Sequence, residues 1–443
     1  MPVSPSRPIT FVVCVNNYKQ LTENLLASPC LQGLHPHQLI MMDQPPSVAD
    51  AFHYGLQHAQ HPVIVLVHQD VYLPENWDQQ FYEKIEQAKT IWHNAGIFGL
   101  YGIGRSSDHT MSRVGSIYHQ GVHLSGSEPV PKLVDSLDEL LIAFPKETPL
   151  SMDKELGFHL YASDVILTAR NMGLCAVVVD APVHHNSLLN LGTASLAYWD
   201  KLADSCAHFE SKWHDSFPYK TPSFLFLQES TLSQQIRRNR IRAEQTPALM
   251  CDLAVSDGAL CAYPSSLNIG GGHQVLANYI NIDINPACNP DLVLDLGQPL
   301  VLPKQVYTNR FGRFFMHKNG FKTISARGVL EHIPNLVTAM TNFLELLEPG
   351  GTLEILVPYD LSLEAWRNPT HCRAFNELSW LYYVESYHDL GWCEARFELI
   401  HLQFNLSSSG VQLRNSGLTQ QELLHRVRAV DTMEVILKKV LLL

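Results

Sequence analysis

The stretch LVHQDVYLPENW (residues 66–77) carries a strongly apolar run, Val63 to Val67, into His68-Gln69-Asp70, followed by an aromatic residue, a proline and a tryptophan. A run this short and this apolar reads as a buried strand. In open α/β sheets ligands bind beyond the carboxyl ends of the strands. An acid at that end therefore has two readings. Asp70 caps the turn, or it is a hard oxygen ligand that holds a cation against a phosphate.

Working outward, the chain alternates strand and helix patterns. Ile9–Val15 reads as a strand, residues 19–27 as a helix, and QLIMMD as a second strand ending at Asp43. Ser47 is placed to cap a helix in SVADAFHYGLQHAQ, whose apolar positions Val48, Phe52, Leu56 and Ala59 recur at helical spacing. Such alternation predicts a mostly parallel sheet, with Asn16, Asp43 and Asp70 along one edge. Residues 96–127, rich in Gly, Ser and His, read as loop. A helix is expected from about Ser163, a strand over 176–180 and an amphipathic helix over 197–218. The basic stretch SQQIRRNRIRAEQ reads as a solvated connector helix.

A second α/β pattern starts in SLNIGGGHQVLANYINIDIN. A strand runs into Gly270-Gly271-Gly272, where the backbone can approach a ligand and turn into a helix with its N–H groups facing that ligand. Asp283 ends the next strand, where an acid can accept ribose hydroxyls, and Asp295 in LVLDLG ends a third. FKTISARGVLEHI and LLEPGGTLEILVPY continue the alternation. The fold class read from these patterns is α/β, with two different domains in series: 1–222, a helical linker over 223–262, and 263–443.

The bulk numbers agree with an ordinary globular chain. It has 443 residues, 46% apolar and 17% charged, enough for two cores at roughly 150 residues per domain. A net charge of -12 argues against a nucleic-acid footprint. Nine cysteines with no C-x-x-C pair fit reduced thiols and a cytoplasmic protein. No apolar segment reaches the roughly 20 residues that span a bilayer. Oligomeric state is not readable.

FVVCVNN, SVADAFHYGL, LVHQDVYLP, GFHLYASDVILTARNMGL and VHHNS follow one another as in family-2-like glycosyltransferases of the GT-A fold, and the branch they most resemble is the streptomycin-biosynthesis type. This resemblance covers roughly residues 8–220. It implies Asp70 and His185 as ligands of a divalent metal (Mn²⁺ or Mg²⁺), Asp43 and Asn16 at the nucleotide-sugar donor, and Asp164 as the base that deprotonates the acceptor in an inverting transfer. Taken alone, Asp164 also reads as a helix cap, and Trp77 and Trp213 read as core or rim packing before sugar stacking. Residues 264–443 resemble class I S-adenosylmethionine-dependent methyltransferases through IGGG, VLEHI, PGG and NPTHCRAFNELSW. That resemblance implies Gly270, Gly272, Asp283 and Asp295 as cofactor contacts, Glu331 and His332 at the methionine end, and His371 in the acceptor pocket as a candidate base. Together the two imply a bifunctional enzyme acting on a glycan or small-molecule acceptor. The alternative class is a ligand-binding or scaffolding protein with one degenerate domain.

Overall fold

The computed structural model describes residues 7–106, 109–189, 194–228, 231–245, 254–256 and 259–442. The chain forms two compact units, Met1–Ala262 and Tyr263–Leu443. Among the described residues no helix is long and apolar enough to cross a membrane.

The first unit contains β1 (Ile9–Val15), β2 (Gln38–Asp43), β3 (Val63–Val67), β4 (Val71–Tyr72), β5 (Ala95–Gly99), β6 (Tyr101–Arg105), β7 (Met111–His119), β8 (Val122–Ser125), β9 (Lys132–Val134), β10 (Ser136–Leu137), β11 (Leu141–Pro145), β12 (Cys175–Val178) and β13 (His184–His185). Its main sheet runs β2-β1-β3-β11-β5-β12-β9. β1 pairs in parallel with both β2 and β3, so the ends of all three point the same way. The sheet is mixed rather than mostly parallel, because β11 enters antiparallel between β3 and β5. All five residues of β3 are buried, as expected of a strand covered on both faces. On one face Phe52 and Val48 of the helix Val48–His58 and Tyr161 and Val165 of a later helix, Tyr161–Asn171, share a core with Ile64 and Leu66. On the other, Trp77, Phe81 and Ile85 of Trp77–Ile91 pack on Phe11 and Val65.

Residues 96–127 are not a loop. They supply β5 to β8, and their glycines serve close strand approach. A Cβ on Gly102 would overlap the Ser136 carbonyl oxygen, and one on Gly115, at φ +81°, would overlap that of Leu100. Glycine inside a strand can mark such backbone crowding rather than a turn. A second sheet, β10-β6-β7-β13-β4, follows from this pairing.

The 223–262 stretch belongs to the first unit. Its helix Leu232–Gln245 lies against Leu196–Trp213, with Leu232 and Ile236 buried beside Phe209. Glu210 accepts from the N–H of Ser233 at 3.2 Å, and Arg240 chelates Asp200. The basic residues Arg237 and Arg240 are thus paired with acids of the neighbouring helix. Residues 246–253 and 257–258 lie outside the described residues.

The remaining strands of the first unit are β14 (Tyr219–Lys220), β15 (Phe224–Phe226), β16 (Ala254–Ser256) and β17 (Ala259–Cys261); the second unit adds β18 (Ser266–Ile269), β19 (Ile280–Asp283), β20 (Leu292–Val293), β21 (Lys304–Thr308), β22 (Gly312–Met316), β23 (Phe321–Arg327), β24 (Leu347–Pro358), β25 (Ala395–Leu406) and β26 (Val430–Leu441). The sheet of the second unit runs β20-β19-β18-β23-β24-β26-β25. Numbered within that sheet, the order is 3-2-1-4-5-7-6. The first five are parallel, and β26 is antiparallel to both its neighbours. This is a Rossmann-like sheet whose order reverses at β18, the place where such folds bind ligands. Between β20 and β23 the chain forms the β21–β22 hairpin.

Gly115→Ala adds a methyl group where both φ and the Leu100 carbonyl forbid it. Overpacking of this kind costs about 1–3 kcal/mol. A urea midpoint lowered accordingly is the expected outcome, and an unchanged midpoint would show that the strand pairing is misassigned.

Candidate functional sites

In the first unit the Asp70 carboxylate lies at the carboxyl edge of the main sheet, in a cleft lined by Asn16, Gln44, His68, Gln69, Phe158 and Tyr161 among others. The short β4–β13–β7 ladder builds its surroundings. β13 pairs antiparallel with β4 and parallel with β7, which sets His185 opposite Val71 and opposite His119. The N–H of Asn186 donates to the Asp70 carbonyl at 2.8 Å. His185 Nε2 then stands 3.4 Å from Asp70 Oδ1, and His68 Nδ1 stands 4.0 Å from it on the other side. One ligand atom from each of His68, Asp70 and His185 fits within 4.8 Å of the others. Asp70 Oδ1 is buried without a hydrogen-bond partner.

The histidine tautomers follow from their partners. Tyr161 donates its only hydroxyl proton to the Glu139 carbonyl at 2.7 Å, so it accepts from His68 Nε2–H at 3.0 Å. His68 Nδ1 is left with its lone pair facing Asp70. His185 Nδ1 meets His119 Nδ1 at 3.2 Å, which leaves Nε2 for the acid. Burial alone would raise the Asp70 carboxyl, but His185 and His68 outweigh burial and hold it below the ordinary carboxylate range. Burial lowers His68, whereas for His185 the Asp70 carboxylate overcomes burial and raises it. Two imidazoles and a carboxylate within 4.8 Å of one another are a suitable donor set for a divalent cation.

The sequence-derived residues divide. Asn16 lines the cleft and is tied to Gln69, whose Oε1 accepts the N–H groups of Asn16 and Asn17, each at 3.0 Å. Asp43 is at the same sheet edge but accepts from Tyr18 at 3.0 Å and does not line the cleft. Asp164 is not brought to the cleft. It is 1% exposed and accepts from Trp213 Nε1 at 2.8 Å and Lys212 Nζ at 2.7 Å, joining two helices. Trp77 is core, with its Nε1 bonded to Ala181. His68, His119 and Glu139 went unread as site residues. His68 had a signal, being two positions before Asp70 at a strand end. His119 and Glu139 had none, because they arrive through non-local pairing.

In the second unit a cavity of about 470 Å³ opens at the switch point, within the range of ordinary cofactor sites. Gly270, Asp283, Asp295 and His332 all line it, from four separate chain segments. Gly270 has φ +62°, and a Cβ there would overlap Val329. Gly272 does not line the cavity. Its N–H donates to Asp283 Oδ2 at 3.0 Å, while Asp283 Oδ1 accepts from Asn285 N–H at 2.8 Å, so the acid is held in place with further lone pairs to offer. Asp295 Oδ1 is similarly held by Gly297 N–H at 2.8 Å.

The helix expected after the glycines does not form over residues 270–279. The carbonyls there are claimed from outside. Arg310 donates to Ala277 and Tyr279, Asn281 Nδ2 donates to Leu276, and Asp291 braces both Arg310 and Asn281. Asn268 joins this network through Asn281 at 2.9 Å.

Glu331 and His371 sit just beyond the cavity lining. Glu331 is 3% exposed, burial raises its carboxyl, and its Oε2 lacks a partner. The His371 segment is tied to the Glu331 turn by Cys372 N–H to the Glu331 carbonyl at 2.9 Å.

Residues 235–402 match a family model described as a methyltransferase domain. Most of that match, from Tyr263 onward, falls in the second unit, on the Rossmann-like sheet described above. The chain is also 29% identical over 133 residues to "ATP synthase subunits region ORF 6" of Fuscovulum blasticum, covering 28% of this chain and 50% of that protein. The chain thus spans half the length of that relative. Among solved structures it is similar to a SAM-dependent methyltransferase from Archaeoglobus fulgidus (13% identity, TM-score 0.26, 45% of this chain and 94% of that one). It is also similar to the N-methyltransferase NodS from Bradyrhizobium japonicum, solved with S-adenosyl-L-homocysteine (15%, TM-score 0.23, 40% and 79%). At these TM-scores it is the strand order, not the likeness, that carries the fold.

Glu139 is half-buried beside the Tyr161–His68 relay. Burial first, then the Asp138 carboxylate, push its carboxyl from 4.5 up to about 8, against the pull of backbone N–H groups at Leu160, Tyr161 and Ala162. The folded protein therefore keeps a proton that the unfolded chain releases, and stability falls as pH rises between those values. Glu139→Gln removes that loss. Its thermal midpoint relative to the parent is expected to rise between about pH 5 and about pH 8; a constant difference would contradict the raised carboxyl.

Proposed function

We propose that the second unit transfers a methyl group from S-adenosylmethionine to a sugar or related small acceptor. The observation that carries this is the convergence of Gly270, Asp283, Asp295 and His332 on one cavity at the β18 switch point. The methyltransferase-domain match over 235–402 supports it. S-adenosylmethionine supplies an electrophilic methyl group on a sulfonium sulfur. The chain supplies the binding. Gly270 lets the backbone approach closely. Asp283, fixed by Gly272 and Asn285, accepts the ribose hydroxyls, and Asp295 takes the adenine amine. Such half-buried, pre-oriented acceptors discriminate against ligands that lack the matching donors.

For the first unit a second reading is favoured by the His68–Asp70–His185 cluster. It is a metal-dependent transfer of a sugar from a nucleotide-sugar donor. The three residues would hold a divalent cation, and that cation would neutralise the leaving diphosphate. With Asp164 engaged by Trp213 and Lys212, the acceptor base of this reaction is not Asp164. Fusion of the two activities places one product near the next site at high local concentration.

Both readings are tested on the full chain by ligand-induced thermal shift. S-adenosylmethionine is expected to raise the midpoint, and Asp283→Ala to abolish that rise. UDP with Mn²⁺ is expected to raise it beyond the shift given by Mn²⁺ alone, and Asp70→Asn to remove this UDP-dependent increment while leaving the S-adenosylmethionine shift in place. No shift with S-adenosylmethionine would defeat the methyl-transfer reading. A UDP shift indifferent to Mn²⁺ or to Asp70 would defeat the sugar-transfer reading.

A further inference from the structure

At the inner edge of the second unit's cavity, Glu331, His332 and His371 bring one ligand atom each to within 4.8 Å of one another. The two imidazole rings meet edge to face, their centroids 4.6 Å apart. Glu331 Oε2 is buried without a partner in a residue only 3% exposed. A buried carboxyl oxygen left without a partner is unfavourable, so something besides protein is expected to satisfy it.

The hydrogen bonds around the imidazoles indicate what. His371 Nδ1 is 3.0 Å from the Ala365 carbonyl. A carbonyl only accepts, so Nδ1 carries the proton and Nε2 keeps its lone pair. His332 Nδ1 is 2.9 Å from Thr370 Oγ1. Thr370 gives its single hydroxyl proton to Asn368 Oδ1 at 2.9 Å, so it accepts from His332, and His332 Nε2 also keeps its lone pair. Histidine ligands of metals are oriented in this way, by an outer acceptor on the far nitrogen. Two hydrogen bonds to backbone carbonyls tie the His371 segment to the Glu331 turn. The Cys372 N–H reaches the Glu331 carbonyl, and Arg373 Nη2 donates to the Pro334 carbonyl at 2.6 Å.

The geometry points to a divalent transition-metal site formed by Glu331, His332 Nε2 and His371 Nε2, with open positions for a hydroxyl-bearing acceptor. Two histidines and one carboxylate leave room in the coordination shell for oxygen ligands from outside. The role of the site rests on the methyl-transfer reading above, since only His332 of the three also lines the cofactor cavity. A metal-bound alcohol oxygen loses its proton to solvent more readily. That oxygen then forms a bond to the methyl carbon as the methyl–sulfur bond breaks. The sulfonium becomes a neutral thioether, and the net products are an ether, S-adenosylhomocysteine and one proton. The acceptor class is therefore an alcohol, and a vicinal diol could use two open positions.

The test is Co²⁺ binding to the full chain, read by visible absorption and by equilibrium dialysis. The first unit's cluster is removed beforehand with Asp70→Asn and His185→Gln together. This background chain is expected to bind one Co²⁺. Glu331→Gln or His371→Gln added to it is expected to lower Co²⁺ affinity at least tenfold while S-adenosylmethionine affinity stays within threefold. A background chain that binds no Co²⁺ overturns the site, and that result does not depend on the added variants folding. Undiminished Co²⁺ binding after both added substitutions also overturns it. If no chain binds S-adenosylmethionine, the methyl-transfer reading fails and the Co²⁺ count still decides the metal site.

Discussion

In-register parallel pairing is the constraint on which both units rest. Parallel strands that share a direction must end at one edge, and their terminal residues are the first free of the ladder. β1 with β2 and β3 sets Asn16, Asp43 and the 68–70 segment on one edge of the first sheet. β18 with β19 and β23 does the same for Gly270, Asp283 and Gly328 in the second. In the second sheet the order also reverses at β18, so the connections leaving β18 and β23 diverge and open a cavity between them.

Within those edges, proton counting decides the chemistry. A hydroxyl has one proton. Tyr161 gives its proton to the Glu139 carbonyl, and Thr370 gives its own to Asn368. Each must then accept from a histidine, and each histidine keeps the lone pair of its other nitrogen within metal-ligand reach of an acid, Asp70 in one unit and Glu331 in the other. The same device thus recurs on two sheets with different strand orders.

The strand ends were legible because apolar runs that stop at an acid or a glycine have a local cause. β1, β2, β3, β18 and β19 fall where those runs fall. The misreadings have non-local causes. Glycines over 96–127 looked like turns, yet Gly102 and Gly115 are there because other strands' carbonyls come too close for a side chain. The helix after Gly272 was lost because Arg310 and Asn281 take the loop carbonyls it would have needed. Asp164 sits at the start of a helix as expected, but Lys212 and Trp213, from the next helix, turn it away from the cleft. His119 reaches His185 only through the β7–β13 pairing, which no local pattern announces.

Of the two units, the second carries the central claim, that cofactor binds at the β18 edge. Ultraviolet cross-linking of methyl-labelled S-adenosylmethionine to the full chain, followed by peptide mapping, addresses it most directly. The account predicts that label falls within residues 268–298 or 326–335 and is lost on competition with S-adenosylhomocysteine. Label confined to residues outside these segments, or label that survives competition, would contradict it.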